Sequence, residues 1–192
     1  GVDVDKFSPA DEEREQDGLV FVGGAGWFPN EDGMEHFAAE ILPEIRRRAG
    51  REVPVTWVGG ADEEIKRRFE RRHGVRMTDY VEDIRPHVQE AACYIVPLRV
   101  GGGSRLKILD AWAMGKAVVS TPRGAEGLDA RDGENILIRD RSDTFADAVC
   151  RILEEEPLRR RLGRAARRTA VKSYSWTKIG DGMNRTYRSL LE

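Results

Sequence analysis

The chain has 192 residues, 40% of them hydrophobic, which is enough to bury one substantial core. Its 32 Lys and Arg residues against 34 Asp and Glu give a net charge of −2, which excludes a global field that would attract nucleic acid or anionic lipid. No apolar run approaches ~20 residues and no charged-then-apolar leader is present, so we expect neither a membrane span nor a signal peptide.

Apolar and charged stretches alternate along most of the chain. Residues 1–17 show little periodicity and include the charged stretch Asp11–Asp17, so we predict a connecting segment and a folded part that begins at Gly18. From there the predicted elements are strand 19–22, helix 30–48, strand 53–58, helix 62–73, strand 75–77, a helix from residue 83, strand 92–98, helix 104–114, strand 117–121 and strand 135–138. After Asp140 the pattern is wholly helical, with predicted helices over 142–155, 157–172 and 176–191.

Continuously apolar strands separated by helical crossovers indicate a parallel sheet covered on both faces. The predicted fold class is therefore α/β, a doubly wound, Rossmann-like parallel sheet. The predicted organisation is a connecting segment over 1–17, a Rossmann-like domain over 18–175 and a C-terminal helix over 176–192. Ligands of such sheets bind beyond the carboxyl ends of the strands. The loops to inspect therefore follow Val22, Val58, Met77, Leu98 and Thr121.

The loop after the first strand is rich in glycine. Gly23 and Gly24 let the backbone approach a ligand, and Asn30 is placed to cap the following helix. A dinucleotide fingerprint would need a glycine where Pro29 stands, and the second strand is not followed by an acid placed for a ribose, which argues against NAD(P). A tight turn between strand and helix is the alternative interpretation of the two glycines.

The loop after strand 92–98 carries the stronger signal. Its predicted anion-binding residues are Gly101, Gly102, Gly103 and Ser104, the last of which is predicted to open a helix. Three successive glycines cost backbone entropy, so they indicate a positional need. Amides at a helix start and the positive end of the helix dipole form a phosphate site, to which Arg105 and Lys107 add mobile positive charge. The predicted ligand is a diphosphate.

Asp110 is the candidate ribose ligand. Lys107 and Asp110 lie three residues apart and share one face of the predicted helix, whereas Leu106, Leu109 and Ala113 are predicted to face the sheet. On that face Asp110 can accept hydrogen bonds from two ribose hydroxyls. The alternative is an ordinary surface ion pair between Lys107 and Asp110, worth roughly a few tenths of a kcal/mol.

Residues 96–121, with the Gly-Ala-Glu-Gly-Leu run at 124–128, resemble the signature of group 1 glycosyltransferases, the family 4 type with the GT-B fold. Residues 1–7 look like that family's interdomain linker, residues 81–84 resemble its base-pocket loop and residues 174–176 its C-terminal helix region. The resemblance implies a retaining, metal-independent hexosyltransferase that uses a nucleoside diphosphate sugar. This chain would be its donor-binding half, inactive alone.

Carried over to this sequence, the resemblance gives Asp110 the place of the second acid of the family's acidic pair, which binds the ribose. Gly102 stands where the first acid, a contact of the donor sugar, would be, as in a Gly-rich variant form of the motif. The family's Arg and Lys after the first strand are also absent, so Arg105 and Lys107 are predicted to neutralise the diphosphate. The backbone around Val81 would hold the base.

The expected partners are the sugar donor, which is a substrate and not a cofactor, and an N-terminal acceptor-binding domain. No metal-ligand spacing links His36, His73, His87 and the two cysteines, and we predict no metal. Cys93 and Cys150 lie in apolar stretches, which indicates buried reduced thiols and a cytoplasmic setting. The basic run 159–172 would allow peripheral contact with the inner face of a membrane, although the acids just before it favour a solvated helix.

An epimerase-like domain and a non-catalytic interaction module are the competing functions, and polysaccharide biosynthesis is the expected process.

Overall fold

The apolar runs of the sequence form short, buried, parallel strands. The computed structural model describes residues 1–10 and 17–191. Its strands are β1 Leu19–Val22, β2 Val55–Val58, β3 Val75–Met77, β4 Cys93–Val96, β5 Val118–Ser120 and β6 Leu137–Ile138. They pair in parallel in the order β3-β2-β1-β4-β5-β6. The predicted doubly wound sheet is confirmed.

Helices cover the sheet. They are α1 Phe28–His36, α2 Leu42–Ala49, α3 Glu63–His73, α4 Arg85–Glu90, α5 Leu106–Ala113, α6 Pro122–Ala125, α7 Ser142–Glu154, α8 Glu156–Thr169 and α9 Trp176–Leu191. The predicted helix 30–48 is interrupted by a π-helical turn over Phe37–Ile41. Pro43 lies in the first turn of α2 and has no backbone N–H to donate, which accounts for the break in the regular helix. The short helix α6 was not predicted.

The core is formed by aromatic and aliphatic side chains on both faces of the sheet. Trp57 of β2 is fully buried between two other rings, with centroids 5.7 Å from Phe21 and 4.9 Å from Phe69, both in edge-on geometry. Cys93 and Cys150 are buried free thiols, as predicted. This core holds the strands rigidly and therefore fixes the positions of the loops at their carboxyl ends.

The strand order reverses between β1 and β4. The chain passes from β1 to β2 on one side and from β4 to β5 on the other, so the loops that follow β1 and β4 diverge and leave a crevice between them. These are the two loops in which the glycines of the sequence are concentrated. The topology therefore brings the two predicted glycine loops to the same point.

Residues 1–7 are part of the folded unit. Val2 is 2% exposed, and its amide donates to the Tyr174 carbonyl at 2.8 Å. Arg167 of α8 donates to the carbonyls of Val4 and Phe7, both at 2.9 Å. The prediction that the folded part begins at Gly18 is therefore wrong for this segment, because a buried valine and backbone hydrogen bonds attach it. The predicted connecting residues 11–16 lie outside the described part of the chain.

Helix α9 begins and ends where the sequence predicts, at Trp176 and Leu191. It has no buried residue in this structure, and Trp176, Met183, Tyr187 and Leu190 are all more than half exposed. Of the helices in the described part of the chain, none is long and apolar enough to cross a bilayer.

Helix α8 approaches the end of α5 at two glycines. A Cβ added to Gly163 would overlap the carbonyl oxygen of Gly115. We expect Gly163→Ala to lower the free energy of unfolding by about 1–2 kcal/mol, because an overpacking cost of about 1–3 kcal/mol exceeds the helix-propensity gain of up to ~1 kcal/mol. Urea denaturation measures this change. Gly180→Ala is the matched control, since a Cβ at Gly180 of α9 meets open space and should stabilise. Equal effects of the two substitutions would contradict the prediction.

Candidate functional site

Lys107 of α5 extends its ammonium group into the crevice. Its Nζ donates to Oδ1 of Asn30 at 2.7 Å and lies 4.2 Å from the centroid of the Phe21 ring. Within the described residues no carboxylate forms an ion pair with it. Burial, and then the charge of Arg105, lower the pKa of Lys107 to about 7. The crevice thus contains a partly buried amino group that has only neutral partners among the described residues.

Asn30 connects the two sides of the crevice. Helix α1 begins at Phe28 after Trp27, so Asn30 lies inside the helix and the predicted capping role is wrong. Its Nδ2 donates to the Gly24 carbonyl at 2.8 Å, while its Oδ1 accepts from Nζ of Lys107. Gly23 has φ +151°, and a Cβ there would lie 2.6 Å from Nδ2 of Asn30 and 3.0 Å from Nζ of Lys107. Glycine is therefore required at position 23, because the side chains of Asn30 and Lys107 occupy the space that a Cβ would need.

The second glycine loop is exposed and irregular. Gly101 and Gly103 have φ values of +102° and +94°, conformations that favour glycine. Helix α5 begins at Leu106, two residues later than predicted, so Ser104 does not open it, and the N-cap residue Arg105 makes no side-chain capping hydrogen bond within the described residues. Among the hydrogen bonds of the described residues, none uses the backbone amides of 101–104 as donors. A Cβ at Gly102 would meet no atom of the described residues within 4 Å.

Arg105 is fixed beneath this loop. Its side chain is 6% exposed, with Nη1 donating to the Gly102 carbonyl at 3.1 Å and Nη2 to the Gly101 carbonyl at 3.3 Å. Nη2 also lies 3.1 Å from Oε2 of Glu126. The prediction that Arg105 supplies mobile charge is wrong, because the guanidinium is buried and partnered. Sequence reasoning did not identify Glu126, whose only signal was its place in the 124–128 run.

Asp110 lies one helical turn beyond Lys107. It is partly buried, and within the described part of the chain no side chain or amide donates to its carboxylate. Burial raises the pKa of Asp110 to about 6, with the charge of Lys6 acting in the opposite direction. Burial and the nearby charge of Asp110 raise the pKa of Tyr94 well above its ordinary value. Lys107 and Asp110 do not form the ion pair that was the alternative interpretation, so the carboxylate is open to hydrogen-bond donors of a ligand.

The buried face of α5 differs from the predicted one at its start. Leu106 is 48% exposed, whereas Leu109 and Ala113 are buried as predicted, together with Ile108 and Trp112. Leu106 is the first residue of α5. The later turns of α5 therefore anchor the helix that carries Lys107 and Asp110.

Val81 lies in the loop after β3, at the same edge of the sheet. It is partly buried and packs against the core, beside Tyr80, which is 81% exposed. A Cβ at Gly60 would lie 4.0 Å from the Tyr80 amide, and one at Gly59 would lie 2.5 Å from the Gly23 carbonyl. The loops after β1, β2 and β3 therefore form a continuous rim next to the crevice.

The strand order and the crevice define a Rossmann-like, doubly wound α/β domain. Residues 16–155 match the family model described as "Glycosyl transferases group 1". The chain belongs to this family, as its resemblance to the family signature predicts.

The chain is similar to known glycosyltransferases in sequence and in fold. The lipopolysaccharide core biosynthesis glycosyltransferase LpsE of Rhizobium meliloti is 32% identical over 109 residues, which are 56% of this chain and 32% of LpsE. This chain thus spans about a third of that relative. The C-terminal domain of the group 1 glycosyltransferase LpcC from Francisella tularensis superposes with TM-score 0.71 at 17% identity, over 92% of this chain and 100% of that one. HepE from Anabaena, solved with UDP and glucose, gives TM-score 0.78 at 15% identity, over 98% of this chain and 55% of HepE. The fold is that of a C-terminal GT-B domain.

Proposed function

We propose that this chain binds the nucleoside diphosphate of a sugar donor, as the donor half of a retaining, metal-independent glycosyltransferase. The observation that carries the proposal is the pair on α5. Among the described residues, Lys107 is an amino group with neutral partners only, and Asp110 is a carboxylate that accepts no hydrogen bond from a side chain or an amide. Three residues of helix separate them by about 4.5 Å along the axis. Both side chains leave the same face of α5, so one nucleotide lying along that face can contact both groups.

The part of the donor that each group binds follows from its charge and its hydrogen-bonding capacity. Lys107 attracts the diphosphate, and the unpaired amides of the 101–104 loop donate to its oxygens. Asp110 accepts from the ribose hydroxyls, and the loop around Val81 borders the base. Gly102 leaves open space where the family's first acid would contact the sugar, so sugar positioning falls to other groups. The fold is shared with HepE, whose structure was solved in complex with UDP and glucose, and this likeness supports a donor of the same class.

Transfer to an acceptor requires more than this chain supplies. A cleft that excludes water between two domains is lined by both of them, and this domain provides only one side, which is open to solvent. LpsE, which is named for lipopolysaccharide core biosynthesis, is about three times as long as the matched part. We therefore propose that acceptor binding belongs to a domain outside these 192 residues. Sugar transfer by this chain alone at the rate of a complete enzyme would contradict that part of the proposal.

Calorimetric titration with UDP, GDP and ADP tests donor binding. We expect one of the three to bind more tightly than the others, because a base pocket beside Val81 discriminates between bases. Inorganic pyrophosphate is the control for attraction to Lys107 alone, and it should bind more weakly than the preferred nucleotide, since it lacks the ribose that Asp110 accepts. If no nucleotide binds, the function as a donor domain is ruled out and a non-catalytic interaction module becomes the better description.

A further inference from the structure

Arg105 contacts the backbone of the glycine loop and not the crevice. Its two terminal nitrogens donate to successive carbonyls, those of Gly101 and Gly102. Its Nε is buried and has no hydrogen-bond partner among the residues that the structure describes. A guanidinium that is 6% exposed and bound to main-chain oxygens is not free to follow a ligand. What it can do is hold the backbone of a loop that would otherwise have the conformational freedom of three glycines.

Holding the carbonyls also sets the direction of two amides. A trans peptide is planar, and its C=O and N–H groups point in opposite directions. The Gly101 carbonyl therefore fixes the direction of the Gly102 amide, and the Gly102 carbonyl fixes that of the Gly103 amide. Both amides point away from Arg105, toward the solvent side of the loop. Neither donates a hydrogen bond within the described structure. Successive backbone amides turned outward in this way form a concave anion site.

Glu126 holds the guanidinium in position. Its Oε2 accepts from Nη2 of Arg105 at 3.1 Å, and its carboxylate also accepts from Nη1 of Arg123 at 2.9 and 2.7 Å. Glu126 follows α6, so the contact connects the end of that helix to the glycine loop. Among the hydrogen bonds of the described residues, Arg123 donates to the acid and not to the glycine loop, which makes it a useful comparison.

We propose that Arg105 and Glu126 are positioning residues: they orient the Gly102 and Gly103 amides toward the donor diphosphate without contacting it themselves. The inference rests on the proposed donor binding and differs from the sequence-based prediction that Arg105 neutralises the diphosphate directly. The two ideas make opposite predictions for lysine at this position. Lysine retains the charge but is a point donor that cannot hold two carbonyls in a fixed geometry.

The test compares a nucleoside diphosphate with its nucleoside, using the diphosphate that the wild-type chain binds most tightly among UDP, GDP and ADP. We expect Arg105→Lys to weaken diphosphate binding about tenfold while nucleoside binding changes by less than about twofold, because only the phosphates meet the two amides. Glu126→Gln should weaken diphosphate binding roughly threefold in the same selective way. Arg123→Gln should leave both affinities unchanged.

Three outcomes would overturn the inference. Unchanged diphosphate binding in Arg105→Lys would mean that charge alone matters at this position. A parallel loss for nucleoside and diphosphate, accompanied by a lower melting temperature, would mean that Arg105 acts only on folding. Absence of wild-type binding to any of the three nucleotides would remove the donor-binding proposal and this inference with it. The first two outcomes leave donor binding itself intact.

Discussion

Lys107→Met is expected to weaken binding of the preferred nucleoside diphosphate by about 2–3 kcal/mol, or roughly 30- to 150-fold in Kd. Methionine keeps an unbranched side chain that can still pack on the Phe21 ring, but it removes the one amino group in the crevice that faces only neutral partners among the described residues. The diphosphate then loses a charge-assisted contact in a partly desolvated position, where such contacts are strongest. Calorimetric titration at neutral pH measures the change.

The pH dependence provides an independent check on Lys107. Its pKa of about 7 means that the free protein loses this charge as the pH rises above neutrality. Binding of an anion then requires proton uptake, so wild-type affinity should fall between about pH 7 and 9, by at most about tenfold per pH unit. Lys107→Met should lack this decline. Because the ionisation of the ligand is the same for both proteins, the difference between the two profiles belongs to the lysine.

Lys116 supplies the matched control. It is a buried lysine whose pKa is lowered to about 8, chiefly by burial, and its Nζ donates to the Gln89 carbonyl at 3.2 Å. It follows α5, whereas Lys107 lies in the first turn of that helix, so the two lysines are at opposite ends of it. Lys116→Met should leave nucleotide affinity and its pH profile unchanged. If both lysine variants weaken binding equally, the effect comes from loss of folding and the role given to Lys107 is wrong.

The fold could be predicted because the apolar runs are short, buried and regularly separated. The ends of β1 and β3 match the prediction, whereas β2, β4, β5 and β6 are shorter than predicted. Leu98 is buried but lies outside β4, which ends at Val96 because Pro97 has no amide to donate and the neighbouring strand β5 is only three residues long. A residue can thus be buried without pairing in the sheet, and the hydrophobicity of the sequence predicts burial but not strand pairing.

The candidate site could be predicted in part. Asp110 and the glycines follow from a local motif, whose spacing on one helix and one loop is visible in the sequence. The bridge between Asn30 and Lys107 joins residues 77 positions apart, and the contact between Arg105 and Glu126 depends on the course of the chain through β5 and α6. No local pattern specifies which way such side chains turn. The directions of Lys107 and Arg105, one into the crevice and one under the loop, therefore required the structure.

Asp110→Asn is expected to weaken nucleotide binding by about 1–3 kcal/mol and at the same time to stabilise the free protein. Asparagine has nearly the same shape, but it offers one acceptor oxygen and no negative charge to two ribose hydroxyls. The gain in stability has a different origin. Burial raises the pKa of Asp110 to about 6, so keeping this carboxylate ionised at neutral pH costs folding free energy. Removing the charge should recover roughly 1–2 kcal/mol, after allowance for the solvent that still reaches the group.

The sign of the pH dependence distinguishes this origin from a general packing effect. Between about pH 4 and 6 the folded protein binds more protons at Asp110 than the unfolded chain does, so the contribution of Asp110 to wild-type stability should fall as the pH rises through this range. The advantage of Asp110→Asn should therefore be full near pH 7 and vanish toward about pH 3, as denaturation curves at several pH values would show. Asp181→Asn, at an exposed acid on α9, should change neither stability nor binding. Loss of both affinity and stability in Asp110→Asn would make Asp110 a structural residue. Weaker binding with higher stability would instead mark a carboxylate that is kept at a cost to the fold because a ligand uses it.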